Sequence, residues 1–195
     1  MEAHDMTPAT QALASLVRSV SDDDLTRPTP CPAYTVGDLV DHIGGLTIAF
    51  TAAATKQPLD GAHAGPSGDA GRLEAGWRDR IAADLAGLAE AWADPSSRVG
   101  TAQAGPVELP AEVAALVALN EVVVHGWDLA VATGRAWEPD PASVAVCTGF
   151  VASFEVPDEV PDGEGPFGAP VEPSADASDL DRLVALAGRE PRWSA

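Results

Sequence analysis

The sequence predicts an all-α protein: a bundle of four main helices, with a small hairpin or extended loop and short helical additions at the C-terminus. Three observations lead to this fold class. Apolar residues recur at steps of three and four along most of the chain, which is the period of an amphipathic helix. The segment 113–132 is apolar nearly all round, as in a helix that its neighbours bury. Stretches rich in proline and glycine separate the periodic segments, so we expect a helical bundle.

The first two candidate helices, about 7–20 and 35–55, carry apolar stripes at helical spacing. Three prolines within 26–34 interrupt the pattern between them, because proline cannot continue a helix interior. Thr35 is followed three residues later by Asp38, which resembles a capping box with Asp in place of the usual Glu or Gln. This pair predicts where the second helix begins.

The middle of the chain predicts two further helices and a short β element. A loop over 56–68, with two prolines and three glycines, precedes a third candidate helix at about 69–92. Residues 98–110 alternate in short pieces and predict a small hairpin or an extended loop. The fourth candidate helix, about 111–133, is the most apolar one and should end at Gly134.

The C-terminal part predicts smaller elements. We expect a fifth helix at about 141–154, a long surface loop over 156–174 rich in Pro, Gly and acidic residues, and a short last helix at about 179–187. Residues 1–155 are expected to form one helical bundle. Residues 156–195 are expected to be a loop and a short helix packed on the same domain.

The charge balance limits the classes of partner. The 195 residues include 11 Lys and Arg against 30 Asp and Glu, a formal net charge of −19. Nucleic acids and anionic membranes bind basic proteins, so we expect neither as a partner. No apolar run approaches the roughly 20 residues of a membrane span, and the N-terminus has acidic residues where a signal peptide has basic ones. Two distant cysteines, Cys31 and Cys147, form no disulfide framework, so we expect a cytoplasmic protein with reduced thiols.

Glu121 and His125 lie four residues apart in the most apolar candidate helix. At about 100° per residue they share one face, one turn apart. A carboxylate among valines and leucines is destabilising unless something compensates it, and a divalent ion is one compensator. A structural pair between the two side chains is the alternative. In the second candidate helix, His42 shares the face of Leu39 and Leu46, so it is expected to point towards the core as well.

His42, Glu121 and His125 together offer two imidazoles and one carboxylate from two helices. A Zn²⁺ ion with three protein ligands keeps an open position and tends to be catalytic, and the same set suits Ni²⁺, Fe²⁺ or Mn²⁺. Imidazole ligands need a hydrogen-bond acceptor on their second nitrogen. Asp38, one turn before His42, and Asp128, three residues after His125, are the candidate acceptors.

Three segments resemble one known family. They are TPCPAYTVGDLVDHIGG at 29–45, NEVVVHGWDLA at 120–130, and a C-terminal pattern made of Phe167-Gly168 and residues 180–189. They are similar to the signature regions of the actinobacterial metal-binding DinB-like four-helix-bundle family. That family is related to the N-terminal domain of mycothiol-dependent maleylpyruvate isomerase. The resemblance implies a DinB-like four-helix bundle over most of the chain.

By this resemblance, His42, Glu121 and His125 match the family's three metal-ligand positions, and residues 1–155 are a metal-binding bundle. The resemblance implies a divalent metal ion, with Zn²⁺ as the preferred metal and Ni²⁺ as the alternative. It also implies mycothiol as a further cofactor.

The family also uses an arginine near its site. The resemblance does not choose among Arg72, Arg78 and Arg80 in the third candidate helix. Cys31, just before the second helix, could also approach a site there. As a catalytic nucleophile it would need a lowered pKa.

Three functions fit these residues. The first is an enzyme in which the metal activates a small-molecule thiol against an electrophilic substrate, for transfer or isomerisation. The second is a metal-assisted hydrolase, with Asp128 or Asp38 as general base. The third is a non-enzymatic metal- or ligand-binding module. Apolar helix faces are plentiful, so either a monomer or a homodimer is expected.

Overall fold

The computed structural model describes residues 4–57, 67–104, 107–154 and 167–195, and its architecture is an all-α bundle with a small β-hairpin. The predicted fold class is confirmed. The helices are α1 (Thr7–Ser19), α2 (Val36–Thr55), α3 (Trp77–Ala93), α4 (Ala111–Thr133), α5 (Pro141–Val151) and α6 (Asp179–Leu186), and the strands are β1 (Thr101–Ala104) and β2 (Val107–Pro110). Short 3₁₀ turns lie at Asp22–Asp24, Ala70–Arg72 and Pro95–Arg98.

Helices α1 to α4 form the bundle. Helix α1 packs on α3 and α4, and α2 packs on α3 and α4. The core between them holds fully buried side chains from all four helices, such as Leu13, Leu39, Leu85 and Leu119. Helix α5 packs on α4, and α6 packs on α5, where Leu183 joins the same core. Among the described C-terminal elements, α5 thus contacts the bundle through α4, and α6 contacts α5.

Helix α4 is the central element, and its bounds agree with the sequence prediction. Gly134 ends it in the left-handed conformation, at φ 66°, as predicted. The expectation that no apolar run approaches the length of a membrane span is wrong for α4, which among the described residues is long and apolar enough to cross a membrane. However, 78% of its most apolar window is buried inside the bundle, so its apolar surface is used in helix packing.

Helix α2 begins with the predicted capping box. The backbone N–H of Asp38 donates to Thr35 Oγ1 (3.3 Å), and the backbone N–H of Thr35 donates to Asp38 Oδ2 (2.9 Å). The helix carries His42 one turn after Asp38. The cap therefore fixes where the helix that bears His42 begins.

The predicted third helix begins too early. Helix α3 begins at Trp77 rather than near residue 69, because the preceding segment is held by other contacts. Asp69 caps a 3₁₀ turn through the N–H of Gly71, and the N–H of Ala70 donates to Asp38 Oδ1 (2.8 Å). Gly76 then adopts a φ of 82°, which α-helices do not contain.

Two other boundaries differ slightly, and the hairpin is confirmed. Helix α5 ends at Val151 instead of near residue 154, and α6 ends at Leu186. Strands β1 and β2 pair antiparallel, with Thr101 opposite Pro110. Most of the loop predicted at 56–68, and much of the one predicted at 156–174, lies outside the described residues.

Asp24 should make the fold sensitive to acid. Its Oδ2 accepts hydrogen bonds from Ser21 N (2.9 Å), Ser21 Oγ (2.7 Å) and Arg135 Nη2 (2.9 Å). These bonds hold the pKa of Asp24 well below its ordinary value of 3.8, and the bond from the backbone N–H of Ser21 has the largest effect. A lowered pKa adds stability that is complete above about pH 4 and is lost as the pH falls towards the folded-state pKa.

We expect Asp24→Asn to lower the free energy of unfolding by about 2 kcal/mol at pH 7, and by less at pH 3. Urea unfolding at the two pH values measures this. Asp23→Asn, at the exposed neighbouring position, is the matched control and should change little. An equal loss for Asp24→Asn at both pH values would contradict the assignment.

Candidate metal centre

The structure brings His42, Glu121 and His125 together. Helices α2 and α4 face each other, and one donor atom from each of the three side chains lies within 4.8 Å of the others. His125 Nε2 is 2.9 Å from Glu121 Oε2. The rings of His42 and His125 meet edge to face, with centroids 5.1 Å apart. The faces inferred from helical spacing are therefore the faces that meet.

The donor group lies where the apolar core reaches the surface. The Glu121 side chain is 28% exposed, and the His125 side chain 9%. An apolar crevice on one side of Glu121 includes Ile43, Phe50 and Val122 among its walls. An ion could therefore reach the group from solvent, while the low-dielectric wall strengthens its attraction to the carboxylate.

The charges at the group suit a cation. Burial acts to raise the pKa of Glu121, but the hydrogen bond from His125 and the charges of His125 and His42 outweigh it, so the pKa lies below its ordinary value. Glu121 is thus a carboxylate at neutral pH. Burial acts to lower the pKa of His125, yet its hydrogen bonds with Asp128, Cys31 and Glu121 raise that pKa well above the ordinary value. His125 Nε2 and Glu121 Oε2, 2.9 Å apart, are the atoms where a divalent ion would compete with a proton.

Asp128 accepts the hydrogen bond that was predicted for it. His125 Nδ1 lies 3.0 Å from Asp128 Oδ2, and the Asp128 side chain is fully buried. Burial acts to raise the pKa of Asp128, but the charge of Arg189 and the hydrogen bond from His125 hold it below its ordinary value. An ionised acceptor on Nδ1 leaves Nε2 of His125 facing His42 and Glu121.

Asp38 was a candidate acceptor for His42, and its carboxylate has partners at the beginning of α2. Its two oxygens accept hydrogen bonds from Thr35 and from the backbone of Ala70. Asp38 thus secures the beginning of α2 and the turn before α3. The ring of His42 packs against Tyr34, with centroids 5.2 Å apart. Tyr34 is itself held where its hydroxyl accepts the N–H of Gly68 (3.2 Å).

None of the three arginines considered from the sequence is bonded to this group. Arg72 pairs with Asp41, Arg78 donates to Asp22 and to the carbonyl of Val20, and Arg80 pairs with Asp84. Their partners lie on α2, at the end of α1 and on α3. The ion pairs of these three arginines are therefore made with other carboxylates.

Arg189, which follows α6, is the arginine that reaches the centre. Its Nη2 lies 3.3 Å from Asp128 Oδ2, and its Nε lies 3.5 Å from Oδ1. Residue-by-residue reasoning missed Arg189. The available signal was its place at the end of segment 180–189, which resembles the family's C-terminal pattern.

Cys31 approaches the same carboxylate, as its position before α2 suggested. Its thiol donates to Asp128 Oδ2 over 3.3 Å. Cys31, His125 and Asp128 form a second group with donor atoms within 4.8 Å of one another. The guanidinium of Arg189 already lies against this group, 3.8 Å from Cys31 Sγ. Its charge would repel a cation there, so the group made by His42, Glu121 and His125 fits a divalent ion better.

Comparisons with known proteins show the family of this chain. Residues 6–130 match the sequence model of the family described as the mycothiol maleylpyruvate isomerase N-terminal domain. Two uncharacterized proteins of Mycobacterium tuberculosis, from the strains CDC 1551 and H37Rv, are each 32% identical over 138 residues, which is 68% of this chain and 68% of theirs. No solved structure matches the chain. The matched region contains α1 to most of α4, and with it His42, Glu121 and His125. The chain therefore belongs to the family of the mycothiol maleylpyruvate isomerase N-terminal domain.

Proposed function

We propose that this protein binds one divalent metal ion, with Zn²⁺ as the preferred metal, through His42, Glu121 and His125, and that it activates a small thiol of the mycothiol class. The activated thiol would attack an electrophilic substrate in the cytoplasm, and the reaction would be either a thiol transfer or an isomerisation. The observation that carries the proposal is the meeting of three donor atoms from two facing helices within 4.8 Å. Two nitrogens and one carboxylate oxygen form a donor set typical of catalytic zinc.

A divalent ion with an open position lowers the pKa of a thiol bound to it and so supplies a nucleophile at neutral pH. The protein's own residues prepare the ligands. Glu121 offers a full negative charge, since its pKa is held low. Asp128 Oδ2 lies 3.0 Å from His125 Nδ1, where a carboxylate favours a hydrogen on Nδ1 and so leaves Nε2 as the nitrogen that would bind a metal. Tyr34 packs on His42 and limits the rotation of that ring.

The family supports the choice of thiol. Its description names mycothiol and maleylpyruvate isomerase, and this chain has the donor residues within the matched region. A thiol is also a soft ligand that suits Zn²⁺ in a nitrogen-rich site. The substrate of such a thiol is an electrophile that a thiolate can attack.

Thiol binding can be read from the protein loaded with Co²⁺ in place of Zn²⁺. We expect mycothiol to produce a sulfur-to-cobalt charge-transfer absorption, because its sulfur would occupy the open position. S-methylated mycothiol should produce none. Cys31→Ser is the control, since a band that survives it cannot come from that sulfur. If no low-molecular-weight thiol binds the loaded protein or changes its spectrum, thiol activation is wrong.

A further inference from the structure

We infer that Arg189 is a positioning residue that acts through Asp128 on His125, so that docking of the C-terminal segment and metal binding strengthen each other. The C-terminal segment is defined here as residues 167–195. The inference rests on the proposed metal site. It goes beyond it because Arg189 is not one of the three proposed ligands and lies outside residues 6–130, which match the family's sequence model.

A continuous path of hydrogen bonds leads from Arg189 to the donor group. Arg189 Nη2 and Nε approach the two oxygens of Asp128 at 3.3 Å and 3.5 Å. Asp128 Oδ2 in turn lies 3.0 Å from His125 Nδ1. The other ring nitrogen of His125 faces Glu121 at 2.9 Å. Any shift of the Asp128 carboxylate would therefore turn the imidazole plane relative to the other donors.

The negative charge of Asp128 is buried and needs a positive partner. The Asp128 side chain has no exposed surface, and a buried carboxylate is costly unless it is paired. Cys31 donates to it, but a thiol brings no formal positive charge. The guanidinium of Arg189, with Nη2 3.3 Å from Asp128 Oδ2, is a cation that bonds this carboxylate from outside α4. Without it the buried carboxylate would lose a charged partner and could shift relative to His125.

The fold fixes the position of Arg189 just after the end of α6. The N–H of Arg189 donates to Val184 O (2.8 Å), and the N–H of Gly188 donates to Ala185 O (3.0 Å), which is the Schellman pattern at the end of α6. Gly188 has a φ of 82°, and a side chain there would overlap the backbone of Gly168. The helix end therefore sets the direction in which Arg189 leaves α6.

Thermodynamic linkage makes the effects of metal binding and segment docking reciprocal. If the docked segment raises metal affinity by some factor, the metal must stabilise the docked segment by the same factor. Zinc should therefore slow amide hydrogen exchange in α6, although no residue of α6 is a ligand. A role of Arg189 in folding alone would change exchange equally with and without zinc.

The test compares Arg189→Met with Arg192→Met in the full-length protein. Arg192 lies three residues on, is highly exposed and pairs with Glu190 near the surface, so it is a matched control. We expect Arg189→Met to weaken Zn²⁺ binding by about 10- to 100-fold, as the loss of an outer hydrogen-bond partner typically does. It should also abolish the zinc-dependent slowing of exchange in α6. Arg192→Met should change neither, and Arg189→Lys should restore part of both effects.

Zn²⁺ competition with a chromophoric chelator gives the affinities, and hydrogen exchange with mass spectrometry gives the protection. A folded Arg189→Met that binds Zn²⁺ as tightly as wild type overturns this inference and leaves the proposed function intact. Zinc that binds wild type without slowing exchange in α6 overturns it too, whether or not the variants fold. Wild type that binds no zinc overturns the proposed function and this inference together.

Discussion

Replacing His125 by Ala is expected to remove zinc from the protein. Wild type should retain about one Zn²⁺ per chain after dialysis, as one three-ligand site implies. His125 Nε2 lies 2.9 Å from Glu121 Oε2, and the loss of His125 leaves two ligands on two different helices. Affinity should fall by more than the ten- to hundredfold typical of losing an outer partner. Elemental analysis of the dialysed proteins measures the metal content.

Matched replacements separate the site from general effects on the fold. His4→Ala removes a histidine that bonds Ser143 instead, and it should keep the zinc. Glu112→Ala lies in the first turn of the same helix as Glu121, at an exposed position, and should also keep it. Equal zinc in wild type and His125→Ala would show that the three-ligand assignment is wrong. Zinc lost from His125→Ala but kept by Glu121→Ala would remove only Glu121 from the ligand set.

Gly126→Ala should destabilise the protein by about 2–3 kcal/mol, although Ala is the better helix former by about 1 kcal/mol. The indole ring of Trp137 occupies the place where a Cβ at residue 126 would lie. That ring is also held by its N–H, which donates to Val123 O (3.2 Å), so it cannot move away without losing a bond. Urea unfolding of the metal-free protein measures the change.

Gly87→Ala and Gly149→Ala are the matched controls for this substitution. Both glycines lie inside helices, α3 and α5, and a Cβ at either would meet no atom within 4 Å. These variants should gain up to about 1 kcal/mol from helix propensity. If Gly126→Ala is as stable as Gly87→Ala, the contact with Trp137 does not restrict the helix. Since residue 126 adjoins His125, Gly126→Ala should also weaken zinc binding in the same samples.

Much of the fold follows from local sequence signals. The bounds of α4 could be predicted because its apolar run begins after Pro110 and ends at Gly134, both of which act within one helical turn. The beginning of α2 follows in the same way from Thr35 and Asp38. The beginning of α3 could not be predicted, since it depends on the contact of Asp38 with Ala70, two residues that are far apart in the chain.

The candidate site, like the fold, could be predicted in part from local spacing. Helical spacing placed His42 on the core face of α2 and put Glu121 and His125 on one face of α4. Spacing also gave Asp128 as the partner of His125, because three residues along a helix bring side chains together. Spacing could not give the roles of Tyr34 and Cys31, whose contacts depend on how the loop before α2 folds back.

The helices, the faces they present and the residue types that can hold a metal ion were predictable, because each of these depends on neighbours within a few residues. That the donors on α2 and α4 meet within 4.8 Å became visible only in the folded chain. The same holds for Arg189, 61 residues after Asp128, whose guanidinium lies beside that carboxylate. Such contacts depend on how whole helices pack, and packing is set by the sum of many side-chain contacts rather than by any local pattern.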